Sequence, residues 1–314
     1  MPNGIMRITL RFTLPILLFL LAAVVGCQPH QSHQPYRDIL EAAEEGTVAD
    51  VEYFIKQGVN VNAKNDYGRT PLYTAAVSNP NADVLKYLIE QGAKESSSDT
   101  TLLHIVAGSN PSVDVLKYLV EQGTDVNVRG YNDLTPLHDA AEGNPNIDVI
   151  KYLVEQGANV NARNIAKATP LHFAAAKKFD VNVTKYLIEQ GADIHARNFL
   201  GWTALHVAAC NNPNVDVLKY LIEQGADVNA KDNSGDTPLH FAAKASSLGN
   251  FSRSWALRTN VDILKYLIEQ GADVNAINNV GETPLDDAET EEKRAILLEA
   301  SGKSWLESDE EDDE

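Results

Sequence analysis

The chain has 314 residues, 44% of them apolar, and carries 26 Lys and Arg against 44 Asp and Glu for a net charge of −18. That acidity argues against nucleic-acid binding, which needs Lys and Arg to neutralise phosphates, and against a bare anionic lipid surface. Two cysteines, Cys27 and Cys210, exclude a disulfide-dense scaffold and a cysteine-based zinc site.

Residues 1–11 hold Arg7 and Arg11 and no acid, and the uncharged run FTLPILLFLLAAVV follows from Phe12 to Val25. The run is shorter than the roughly 20 residues of a comfortable bilayer span. A basic start, a short apolar run and small residues make a secretory signal pattern. Its end, VVGC from Val24 to Cys27, resembles the lipobox of bacterial lipoproteins. The resemblance implies cleavage after residue 26, diacylglycerol on the Cys27 thiol and palmitate-type acylation. In that family Asp after the Cys favours inner-membrane retention. Gln28 therefore implies the outer membrane of a bacterial cell envelope, facing the periplasm. The alternative is a plain signal peptide, or an uncleaved anchor, with an incidental Cys. Without Arg7 and Arg11 the remaining chain carries 24 basic and 44 acidic residues. Residues 27–35 read as the lipidated Cys and a polar tether, QPHQSHQP, that reaches at most about 25–30 Å. Two acyl chains give stable anchoring.

From Tyr36 the text repeats. The Gly that ends each EQG or KQG falls at Gly58, Gly92, Gly123, Gly157, Gly191, Gly225 and Gly271, in steps of 34, 31, 34, 34, 34 and 46. The Thr of each TPLH-like stretch keeps step at Thr70, Thr101, Thr135, Thr169, Thr203, Thr237 and Thr283. A period near 33 with T-P-L-H-x-A resembles the ankyrin repeat. The resemblance covers residues 36–302 and implies an all-α solenoid of stacked helix-turn-helix units with short β-hairpin loops. The chain departs from the usual pattern by writing Asn-Pro-Asn between the two helices, at Asn79–Asn81, Asn144–Asn146 and Asn212–Asn214.

The local chemistry agrees. Thr237 can cap a helix and Pro238 suits its first position. LHFAA makes a short helix with small residues on one face. Asn212-Pro213 ends the corresponding helix of the unit before, and Asn214 can cap the next one. VDVLKYLIEQ puts Val217, Leu218, Leu221 and Ile222 on one stripe, with Lys219 and Glu223 outward. Gly225 closes that helix in the left-handed conformation. Four buried aliphatics contribute about 6–12 kcal/mol, whereas ordering one 34-residue unit costs on the order of 34–68 kcal/mol. Units therefore need neighbours on both sides.

Tyr36–Gly58 and Thr283–Gly302 read as end caps, giving about eight helix pairs. The third unit, GAKESSSDTTLLH, is three residues short. The seventh carries twelve extra residues near Ser246–Leu257, with Phe251, Trp255 and Leu257, expected either to extend a helix that packs back on the stack or to form a contact site. Residues 303–314, KSWLESDEEDDE, read as an acidic disordered tail.

No catalytic, cofactor or metal site is expected. His104, His138, His172, His206 and His240 recur in step, but helices about 8–10 Å apart cannot share metal bonds of about 2.1 Å. In ankyrin repeats this His bonds neighbouring backbone. GKS at Gly302–Ser304 lacks the upstream Gly of a phosphate loop, and Cys210 reads as an inert small residue. What remains is a surface. Ankyrin proteins bind partners with hairpin tips and first helices. The candidate protein-binding residues are Tyr131, Leu134, Ile165, Phe199, Leu200 and Trp202, with Arg129, Arg163 and Arg197 as a basic row 34 residues apart. Alternatively those Arg pair with local carboxylates. The expected function is non-catalytic binding of another protein by a monomer held at the envelope membrane through Cys27. The alternative is a spacing scaffold without a discrete partner site.

Overall fold

The computed structural model describes residues 36–94, 101–176, 181–211, 214–244 and 253–302, with backbone alone for residues 211 and 253–260. The signal-like segment, Cys27 and the tether, residues 95–100, Asn212 and Pro213, residues 245–252 and the acidic segment 303–314 lie outside the described residues. Among the described residues there are 15 α-helices and no strand.

The helices pair along the chain: α1 (Ile39–Glu45) with α2 (Val48–Lys56), α3 (Pro71–Ser78) with α4 (Ala82–Glu90), α5 (Leu102–Ser109) with α6 (Val113–Glu121), α7 (Pro136–Gly143) with α8 (Ile147–Glu155), α9 (Pro170–Ala176) with α10 (Val181–Glu189), α11 (Ala204–Asn211) with α12 (Val215–Glu223), and α13 (Pro238–Ala243) with α14 (Arg253–Glu269). An eighth unit has only a turn over residues 284–287 before α15 (Glu291–Ser301). Six residues separate Thr283 from Thr290, the residue that caps α15, and they are too few for a helix and a connection. The helix α14 begins inside the insertion, so the eight residues 253–260 lengthen an outer helix to 17 residues where its counterparts have nine.

Each first helix starts as its sequence dictates. Thr70 Oγ1 accepts from the Tyr73 amide, and Pro71 fills the first position, where a missing N–H costs nothing. The first helices form the inner layer. They stack through paired small residues that are essentially fully buried, such as Ala42 and Ala43, Ala140 and Ala141, Ala174 and Ala175, and Ala242 and Ala243. The approach is closest between α5 and α7, where a Cβ added to Gly143 would lie 2.7 Å from the Gly108 carbonyl oxygen. The outer layer buries its aliphatic stripe: Val217, Leu218 and Leu221 are 0% exposed, while Ile222 is half-buried at the margin. Along the outside, the Lys86 ammonium lies 5.3 Å from the Tyr118 ring centroid of the next unit, and Lys185 and Lys219 repeat the arrangement on Tyr220 and Tyr266.

The Asn that opens Asn-Pro-Asn, or Asn-Pro-Ser at Asn110–Ser112, does more than end a helix. Asn79 Nδ2 donates to the carbonyls of Ala43 and Gly46, Asn110 Nδ2 to Ala76 and Asn79, and Asn144 Nδ2 to Ala107 and Asn110. Each buried amide thereby satisfies orphan carbonyls at the end of the preceding inner helix. In the eighth unit Lys293 takes over. Its Nζ, fully buried, lies 3.1 Å from both the Ala243 and Lys244 carbonyl oxygens.

The connecting hairpins are tight turns rather than β-ladders. One backbone bond links the two ends of each: Asn65 N–H to Arg69 O, Gly130 to Leu134, Asn164 to Ala168, Asn198 to Trp202, Asp232 to Asp236, and Asn278 to Glu282; in five of them the first residue's side-chain oxygen also accepts from the last residue's amide.

Candidate functional site: the hairpin-tip strip

The tips are built to a common plan. A left-handed residue precedes the closing bond at Gly68, Gly201, Gly235 and Gly281, and at Asp133 and Lys167, which adopt φ 57° without glycine's freedom. Neighbouring tips are joined sideways. Ile165 N–H donates to Asn132 O, Phe199 to Ala166 O, Asn233 to Leu200 O and Asn279 to Ser234 O. The result is a continuous strip over five tips, from residue 129 to residue 282.

Four of the sequence-predicted residues stand out from this strip. Tyr131 is 65% exposed, Ile165 63%, Phe199 68% and Leu200 51%. Leu134 and Trp202 do not join them and are half-buried. The residue before the capping Thr faces the stack, because its carbonyl must meet the histidine of the preceding unit. Trp202 donates Nε1–H to Asp232 Oδ2 at 3.0 Å, and its ring meets Phe241 edge-on at 4.8 Å. Tyr67, Ile277 and Val280 are exposed tip residues that the sequence reading left out of the candidate set. The signal for Ile277 and Val280 was their place in the repeat, the same as that of Arg197 and Leu200.

The three arginines are exposed, yet their guanidinium groups are engaged. Arg129 donates to the carbonyl of Arg163, Arg163 to that of Arg197, and Arg197 to that of Lys231; Lys231 Nζ continues to the Ile277 carbonyl at 2.9 Å. Local carboxylates play almost no part: Asp133 lies 4.0 Å from Arg129, and Arg163, Arg197 and Lys231 make no ion pair among the described residues. The row stitches units together through backbone oxygens, so its positive charge stays uncompensated at the surface.

Beneath the strip the histidines form a second stitch. His138 Nδ1 accepts from the Thr135 amide at 3.1 Å, and its Nε2–H donates to the Ala168 carbonyl of the next unit at 3.1 Å. His172, His206 and His240 repeat this with Trp202, Asp236 and Glu282. Burial lowers the pKa of His138 from 6.5 to about 4 and also lowers those of His172 and His206.

One cluster among the described residues has metal-ligand composition: Asp236, His240 and Asp287, with donor atoms within 4.8 Å of one another. The Lys244 ammonium already sits among them, 3.1 Å from Asp236 and 3.3 Å from Asp287, and both His240 nitrogens are used. It is a closed ion network. Cys210 is half-buried, and burial raises its thiol pKa, away from reactivity. No helix among the described residues is long and apolar enough to cross a membrane.

A family model described as ankyrin repeats (3 copies) matches residues 13–99, 39–130, 82–164, 103–198 and 171–253, and a single ankyrin-repeat model matches residues 234–279. No curated protein matches the chain.

Proposed function

Because the chain belongs to the ankyrin-repeat family, whose members are generally non-catalytic interaction modules, we propose that it binds another protein through the tip strip, with Tyr131, Ile165, Phe199 and Leu200 as the contact groups. The carrying observation is that these large apolar side chains, each more than half exposed, stand side by side on backbone that is bonded from tip to tip. Exposed apolar groups held rigidly side by side lose little entropy on docking and suit a hot spot. Leu134 and Trp202 support that surface from below. The lipobox-like VVGC motif favours a setting for this binding: Cys27 acylated, and the solenoid hung by residues 28–35 close to an envelope membrane.

The test separates the two parts. Ile165→Ala with Phe199→Ala removes contact area without touching the core. Affinity capture from detergent-solubilised membranes, with the acylated chain as bait, is expected to lose a partner with this double variant while its thermal unfolding is unchanged. Identical capture by both forms would refute the strip and favour a spacing scaffold. Metabolic labelling with an alkyne-bearing palmitate, abolished in Cys27→Ser, tests the anchor.

A further inference from the structure

The strip has a charge opposite to that of the rest of the molecule. Across the five tips of the strip the exposed ionic groups are Arg129, Arg163, Lys167, Arg197 and Lys231, against two exposed carboxylates, Asp133 and Glu282. The other two acids there are buried and occupied, Asp232 by Trp202 and backbone amides, Asp236 by Lys244 and Asn278. A cationic and apolar strip on a chain of net charge −18 fits an anionic segment carrying some apolar bulk.

The chain contains such a segment. Residues 303–314 open with Lys303 and Ser304, then hold Trp305 and Leu306, then seven acids between Glu307 and Glu314. We propose that this segment folds back along the tip strip as a tethered pseudo-ligand. The point of departure suits it. Gly302 is left-handed, φ 73°, and ends α15 as Gly271 and Gly225 end the outer helices before it. Each of those glycines leads into a hairpin tip, so residue 303 starts at the base of the strip. Twelve extended residues span about 40 Å, and stacked units advance by about 8–10 Å each.

The order of side chains then matches the order of tips. Trp305 and Leu306 fall one unit back, at exposed Ile277 and Val280. The acids fall two to three units back, at Lys231, Arg197, Phe199 and Leu200, with Arg163 and Lys167 at the limit of reach. A short tether holds the segment at roughly millimolar effective concentration, so modest contacts suffice. A partner docking on the strip must displace it, which makes the segment a built-in competitor. The inference rests on the strip being a binding surface.

Zero-length carbodiimide cross-linking of the full chain, read by mass spectrometry, tests it. The reagent joins a carboxylate to a lysine in direct contact. The expected bonds join Lys231, with Lys167 at the limit, to acids of Glu307–Glu314. They should fall several-fold at 0.5 M NaCl and in Trp305→Ala with Leu306→Ala. Lys64, an exposed tip lysine about seven units away, should give none. A 1:1 mixture of light and heavy chains distinguishes occupants: mixed-isotope bonds would assign the strip to a second copy and overturn the proposal. So would labelling of Lys64 equal to that of Lys231, or no bond at Lys231. None of those results touches the partner reading, which the Ile165 and Phe199 variants test separately.

Discussion

A single histidine shows how repetition converts a side chain into a stitch. With Nδ1 accepting from Thr135 and Nε2–H donating to Ala168, His138 must be neutral and in one tautomer. Its pKa of about 4 in the fold lies below the ordinary 6.5, so the unfolded chain binds the proton more readily. The stability this group contributes is fully present above pH 6.5 and is lost as pH falls through 4. For His138 alone the loss is on the order of 3 kcal/mol, and His172 and His206 shift in the same direction. Urea titrations are expected to show stability falling steeply from pH 6.5 to pH 4, and less steeply in His138→Gln. Equal slopes would rule out the histidine row as the cause. Lys167 teaches a different lesson. It occupies a left-handed position that Gly fills in four other tips, at a cost of about 1 kcal/mol. Lys167→Gly is expected to raise the chemical-denaturation midpoint while removing a cation from the strip.

At the scale of one unit, the Thr-Pro-Leu-His start, the aliphatic stripe and the closing Gly were all legible, because each acts within a few residues of itself. The role of the first Asn in Asn-Pro-Asn was not. Its text reads as a helix breaker, and only stacking brings the previous unit's carbonyls to its amide. The arginines' acceptors in the next unit are equally out of sight in the text, because those carbonyls lie 34 residues on. Trp202 and Leu134 were misjudged for the same reason: a turn residue looks exposed until its neighbour is in place. Asn110, ahead of Pro111 and Ser112, holds the same post in the third unit. Asn110 Nδ2 serves carbonyls of Ala75, Ala76 and Asn79 and is 0% exposed. Asn110→Ala leaves those buried acceptors without a donor, at about 2–3 kcal/mol. Asn110→Asp should cost more, because it also sets a buried negative charge against those carbonyl oxygens. Equilibrium denaturation of the two variants checks both the size and the order.

Across the whole molecule, the helix pairs in substantial contact among the described residues join either the two helices of one unit or one unit to the next. Stability is then a sum of local terms and nearest-neighbour couplings. Damage in the middle should uncouple the two halves, whereas damage at an end should only shorten the stack. Leu153 on α8 is 0% exposed and central, so Leu153→Ala costs about 2–5 kcal/mol. Hydrogen exchange is expected to resolve separate openings of residues 36–121 and 170–302, with the fourth unit exchanging fastest. Leu297→Ala on α15, equally buried at 1%, should instead fray the last units and leave protection of α3 to α10 unchanged. Uniform loss of protection in both variants would mean a single cooperative core. The strip could then not be tuned tip by tip, since its lateral bonds would open only with global unfolding. Nearest-neighbour coupling, by contrast, lets individual tips vary in sequence, as Tyr131, Ile165, Phe199 and Asn233 do, while the backbone beneath them stays the same.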